Sequence, residues 1–248
     1  MPTPATIARL DTHWAGMFGA TTKALYAPGL RVVAHGPALA DYQGAYVLRH
    51  HAACFVSVPP AYLAFATQAF SGRAVAEVFD RRFLAAVFGG AINQIIGPAY
   101  QGYLDAGDFR PVDTLGARQL TYVHIPALTR LEEACVSGEW EASGIDYHRP
   151  PLFGCFAGKE LVAVATLERR DPFSLSIGVI VHPDYRGRGY GKAVVGEATA
   201  YALSQLPIVH YQTLLVNANS IAIAAALGFA EYARTLAARL KPGFSGRL

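Results

Sequence analysis

The stretch that decides the reading is "VHPDYRGRGYGKAV", residues 181–194. It sets three glycines, two arginines and a lysine directly behind a mostly apolar run, "SIGVIVH". An apolar run stopped by Pro183 reads as a buried strand, and "GYGKAVVGEATAYALSQL" behind it reads as a helix. Glycine at such a junction costs backbone entropy, so something must favour it there. The first amide N–H groups of a helix have no partner inside the helix and sit at the positive end of its dipole. With side chains removed, those amides approach an anion closely, and Arg186, Arg188 and Lys192 add charge around them. This is the physics of a pyrophosphate cradle.

Spacing separates the cofactor grammars that use this physics. A dinucleotide fingerprint G-x-G-x-x-G starting at Gly187 requires glycine at position 192, where Lys192 stands. A phosphate loop G-x-x-x-x-G-K-[ST] ending at Gly191 and Lys192 requires glycine at 186 and Ser or Thr at 193, where Arg186 and Ala193 stand. The pattern R-x-x-G-x-G fits Arg186, Gly189 and Gly191 without adjustment. Preceded by "VHPDY", it resembles the acyl-CoA-binding segment of the GNAT superfamily of N-acetyltransferases. Asn217 lies eleven residues before the Gly228-Phe229 pair, a distance the superfamily keeps, and "ARQLTYVHIPALTRLEEAC" resembles its opening strand and helix. The resemblance runs over residues 117–240, roughly half the chain.

The resemblance implies a fold and a reaction. The fold is an α/β (α+β, mixed-sheet) acyl-CoA N-acyltransferase domain over residues 113–248. Its sheet splits between the strand before the loop and the strand after the helix. Arg186, Gly187, Arg188, Gly189, Tyr190, Gly191 and Lys192 would hold the pyrophosphate. The pantetheine arm would pair with the strand edge at Ile180 and Val181, and Asn217 would contact the pantetheine side. The reaction would be acetyl-CoA-dependent transfer of an acyl group, acetyl first, to a primary amine by direct attack on the thioester.

Two positions depart from the family pattern. Where the family often carries a Tyr acid, four residues before Gly-Phe, this chain has Ala224, leaving Tyr190, Tyr211 and Tyr232 as phenols that nothing ranks. The strand "LSIGVIV" has no carboxylate. The candidate bases are therefore Glu168, at the end of the preceding strand, and His182 beside Pro183. Their plainer readings are a solvated carboxylate next to Arg169 and Arg170, and a surface or ligand-orienting histidine. These gaps motivate a second expectation, an acyl-CoA-binding sensor or regulatory module that has lost transfer.

Outward from the motif, the C-terminal half reads β-α-β-β-β-α-β-α-β. The strands are "ARQLTYV", two arms hinged at "AGKE", "LSIGVIV", "HYQTLLV" and "ARTLAARL", and the last helix is "NSIAIAAALGF". "AGDFRPVDTLG" marks a boundary, giving domains 1–112 and 113–248. The first carries no chemical motif. It reads as a second α/β lobe with a helix over residues 6–25, a β-rich run "YVLRHHAACFVSV", a helical run after Pro60 and "INQIIGPAYQGYLD". It is similar to the first lobe of bacterial tandem GNAT proteins, one that has lost its CoA loop, with "IIGPAYQGYLD" as its remnant strand. Such a lobe would shape the acceptor site.

Composition closes off other classes. The chain is 52% apolar and 16% charged, which excludes disorder. Residues 1–112 hold 8 Lys+Arg against 6 Asp+Glu, and the rest 13 against 12, so the net +3 forms no basic patch for nucleic acid. Cys54, Cys135 and Cys155 are widely spaced and read as core thiols of a reducing compartment. No leader and no apolar run long enough for a membrane span is read, so a cytoplasmic protein is expected. No metal is expected, because His50 and His51 should point to opposite faces of a strand. The partner is an amine acceptor, a small molecule or a peptide. Glu132, Glu133, Glu139, Glu141 and Asp146 around Trp140 are positioned in sequence either to hold such a cation or to form a solvated face.

Overall fold

The computed structural model describes residues 2–149 and 151–242. The chain forms two compact units. One consists of residues 3–101 with 213–217 and the segment from Glu231 onward; the other is built from residues 102–212 and 218–230. Among the described residues no helix is long and apolar enough to cross a membrane.

The unit that opens the chain starts with α1 (Pro4–Met17), where Thr3 caps the Thr6 N–H at 3.3 Å. The helix expected over residues 6–25 is two helices. The chain turns at Gly19, with φ at +57°, and Thr21 caps a fresh start, α2 (Thr22–Tyr26). Next come β1 (Gly29–Ala34), β2 (Gly44–His50) and β3 (Ala53–Val58). The β-rich run 46–58 is thus a hairpin turning at His51, at φ +50°. β3 pairs parallel with β1 along its whole length and antiparallel with β2. After Pro60 the chain makes α3 (Leu63–Phe70), α4 (Val75–Val78) and α5 (Arg81–Phe88), then β4 (Ile92–Asp105), which runs from this unit into the other. Val47, Val56, Phe70, Leu84 and Phe88 are fully buried in one core, and free Cys54 lies in it.

The second unit contains β5 (Arg118–Gln119), α6 (Ile125–Ala134), α7 (Glu139–Ser143), β6 (Leu152–Ala157), β7 (Glu160–Glu168), β8 (Ser174–Val181), α8 (Tyr190–Gln205), β9 (Ile208–Leu214) and α9 (Ala218–Leu227). Its strands lie in the order β9-β8-β7-β6-β5. The "ARQLTYV" strand shrinks to two residues. Thr121 and His124 cap each other's backbone, pulling Tyr122–His124 into a 3-10 turn instead of the ladder. The expected hairpin at "AGKE" and the helix and strand flanking the glycine loop all form.

The final strand, β10 (Ala230–Leu240), lies antiparallel to β2, with Thr235 opposite Leu48. Leu236 and Ala238 join the core of the first unit. A single cut at residue 112 therefore does not describe the compact units: a strand from the end of the chain completes the opening unit's sheet, a pairing between distant segments.

Candidate functional site

β8 carries the site. On one side it pairs antiparallel with β7 from Ser176 opposite Glu168 to Val181 opposite Ala163. On the other it pairs parallel with β9 only from Ser174 to Ile177. The sheet splits where the family resemblance requires, and Gly178–Val181 present one edge without a strand partner among the described residues. His182 N–H donates to Val162 O at 2.8 Å, so by strand alternation the Ile180 groups face β7 and those of Val179 and Val181 face the open side. The Ile180 backbone, expected on the edge, is turned to β7, and its side chain packs with Leu128, Leu131, Trp140 and Val164. The free edge belongs to Val179 and Val181, a distinction that needs the ladder's phase and is invisible in an apolar run.

Gly178 sets the closeness of α7 to this strand. A Cβ there would collide with the Ser143 carbonyl oxygen and come within 2.9 Å of Thr166 Cγ2.

The glycines of the loop do two different jobs. Gly187 and Gly189 are left-handed, at φ +76° and +89°, and Gly189 is the N-cap of α8. The helix's first recorded bond is Ala193 N–H to Gly189 O, so the amides before it have no acceptor in the helical ladder. Gly191 is buried in α8, where a Cβ would lie 3.0 Å from Val181 Cγ2 and 3.1 Å from Ile223 Cδ1. It serves packing, holding the helix start against β8 and α9.

The three cations of the motif differ as well. Arg188 lies over the Tyr185 ring at 5.0 Å, and Lys192 is exposed; neither has a carboxylate within ion-pair distance among the described residues. Arg186 is already engaged. Its Nη2 meets Glu139 Oε2 at 2.7 Å and its Nε donates to Val181 O at 3.3 Å. The Arg186 guanidinium holds the Glu139 carboxyl below the usual carboxylate range. Tyr190 stands edge-on to Tyr185, and Asn217 is exposed in the turn before α9 with its N–H on Leu214 O.

His182 is a cap. Its Nδ1 accepts the Asp184 N–H at 3.2 Å, starting the 3-10 turn Pro183–Tyr185, and its Nε2 stands 3.7 Å from Glu160 Oε1. The lone pair a general base would use is therefore spent on the backbone. Glu168 ends β7 half-exposed, paired with Arg170 at 2.8 Å. It lines a cleft of about 600 Å³ formed by residues 144–146, Arg149 and residues 166–169.

Ala224 is fully buried, so its helix offers no phenol there. Tyr211 is buried too; its hydroxyl bonds Ser220 at 2.8 Å, and burial pushes it up to about 12. Tyr232 belongs to the first unit and donates to Asp11 at 2.7 Å. The acidic segment is largely spoken for: Glu139 by Arg186, Glu132 by the Tyr147 hydroxyl, and Asp146 by Arg149 at 3.3 Å. Cys155 is buried and Cys135 half-buried, both free. His50 and His51 do not diverge as strand neighbours would: the turn at His51 brings their rings to 4.4 Å. Among the described residues no group of three metal-binding side chains assembles.

The model of the acetyltransferase (GNAT) family matches residues 120–229. No curated protein matches the chain. Several solved structures do. A GNAT-family acetyltransferase from Colwellia psychrerythraea is 17% identical over 75% of this chain and 76% of its own, with a TM-score of 0.52. A GCN5-related N-acetyltransferase from Kribbella flavida is 15% identical over 96% of both chains, with a TM-score of 0.50. At these identities the likeness is one of fold.

Proposed function

Residues 120–229 are a GNAT acetyltransferase domain, and from that premise we propose that the protein transfers an acetyl group from acetyl-CoA to a primary amine. The observation that carries this reading is the coincidence of the split β8 edge with the left-handed glycine loop at the start of α8. Amides 187–192 with Arg188 and Lys192 hold the pyrophosphate, and Arg186 joins them once it leaves Glu139. The pantetheine arm lies along Val179 and Val181.

The transfer balances without a metal. The amine nitrogen gives its lone pair to the thioester carbon, the C–N bond forms as the C–S bond breaks, and the sulfur leaves with the bonding pair. The Val179 N–H, beside the split, is the donor for the carbonyl oxygen as negative charge grows on it. The nitrogen's proton passes to Glu168 or to solvent. A CoA thiol, near pKa 8.5 by analogy with cysteine, leaves as thiolate without a positioned acid, which accommodates Ala224.

Calorimetric titration with acetyl-CoA, against CoA, tests the reading. One site per chain of micromolar affinity, followed by thiol release with an amine, is expected; absence of binding overturns it. Ala224 and the capped His182 favour one other reading, a sensor that binds acyl-CoA and never turns it over. Binding without thiol release across an amine panel would select it.

A further inference from the structure

The cleft beside the split carries charges that a plain amine does not need. Its wall holds Asp146, Arg149, Thr166, Glu168 and Arg169. Two of the carboxylates are balanced: Asp146 by Arg149, and Glu168 by Arg170. Asp171, just outside the wall, is consumed by its own turn, accepting the Phe173 and Ser174 N–H groups at 2.9 and 2.6 Å. Arg169 is left over. Its guanidinium reaches only the carbonyl oxygens of Pro172 and Asp171, at 2.9 and 3.4 Å, and no carboxylate lies within ion-pair distance of it among the described residues. Asp146 and Glu168 hold their arginines in exposed pairs that an ammonium can displace, while Arg169 faces no carboxylate among the described residues. Thr166, 4% exposed, also lines it.

The cleft also lies where an acceptor must wait. Glu168 sits opposite Ser176, and Thr166 opposite Gly178, so the wall spans the strand positions where β8 parts from β9. From this geometry we infer that the acceptor is an amino carboxylate: its amine faces Glu168 and Asp146, and its carboxylate binds Arg169. A guanidinium matches a carboxylate through two parallel N–H donors, which a lysine there would not provide. This inference rests on the acetyltransferase reading, and it assigns Arg169 to acceptor selection, not to the transfer itself.

The test is thiol release from acetyl-CoA with the common L-amino acids, repeated for the best of them with its methyl ester and its decarboxylated amine. The amino acid is expected to be preferred by about tenfold or more in kcat/KM over both, the scale of a charge-assisted hydrogen bond. Arg169→Ala is expected to collapse that preference, and Arg169→Lys to restore part of it, with circular dichroism confirming that both variants fold. Equal or better use of the ester or the decarboxylated amine overturns the inference, as does a preference that survives Arg169→Ala. Direct titration of the amino acid into cofactor-free protein separates the two failures. Amino acid binding without acetyl-CoA binding would sink the acetyltransferase reading alone. Acetyl-CoA binding with no amino acid bound or consumed would sink this inference alone.

Discussion

Two strand-to-helix junctions in this chain begin alike and then part. β3 leaves through Val58-Pro59-Pro60-Ala61-Tyr62 and β8 through Val181-His182-Pro183-Asp184-Tyr185, and in both the Pro-x-Tyr triplet is a 3-10 turn. After Tyr62 the helix α3 starts at once with Leu63, whereas after Tyr185 four residues, Arg186 to Gly189, intervene before Tyr190. The strands differ in the same sense. β3 is paired along its full length with β1, and with β2 as far as Ser57, and is buried throughout, while β8 loses β9 after Ile177. One junction is sealed and the other open. A binding site therefore needs both an insertion that frees helix amides and a ladder that stops early, and neither the strand nor the 3-10 turn supplies it. The "IIGPAYQGYLD" segment, expected as a strand, forms part of β4.

The largest expected effect tests this contrast directly. Gly189→Glu puts a carboxylate and a side chain on a left-handed residue at the mouth of α8. It should weaken acetyl-CoA binding on the order of 100-fold, since like charges held together cost several kcal/mol. The matching change at the sealed junction, Ala61→Glu on an exposed residue, should leave the titration curve where it was. Comparable losses in both variants would break the comparison.

Next in size is Gly178→Ala, which drives a methyl into the Ser143 carbonyl. A loss of about 2 kcal/mol or more in urea unfolding is expected, because the obstacle is backbone and cannot rotate away. A wild-type midpoint would mean that α7 is not held against the open strand.

Glu139→Gln sharpens the picture from the other side. Freeing Arg186 and removing a negative charge beside a polyanion should tighten acetyl-CoA binding by about threefold, the scale of an exposed ion pair. Weaker binding would show that Glu139 orients Arg186 instead of occupying it.

The smallest effect is in pH dependence and belongs to the sealed lobe. Burial lowers the pKa of His35 and His50, so both stay neutral when folded, while the unfolded chain takes up protons near the usual 6.5. Stability should therefore fall as pH drops from about 6.5 toward the lowered values, read as melting temperature at successive pH values. His50→Gln should flatten part of that slope.

Much of this was legible in the sequence because it is local. The order of strands and helices behind residue 117 depends on neighbours along the chain, and it held. What it hides depends on partners far away along the chain. The ladder's phase puts the free edge at Val179 and Val181, and Glu139 reaches Arg186 across 47 residues. The sequence sets Glu168 beside both Arg169 and Arg170 without choosing between them, and the structure pairs it with Arg170.

The pairing of β10 with β2 has a consequence for how the protein is made. β2 is synthesised next to its hairpin partner β3, yet its other antiparallel neighbour, β10, follows only after every element in between. Until then the opening lobe exposes a raw sheet edge, a template for intermolecular pairing. A fragment ending at residue 112 would keep that edge permanently, so the opening lobe is best expressed either in the full chain or with residues 230–240 supplied by fusion.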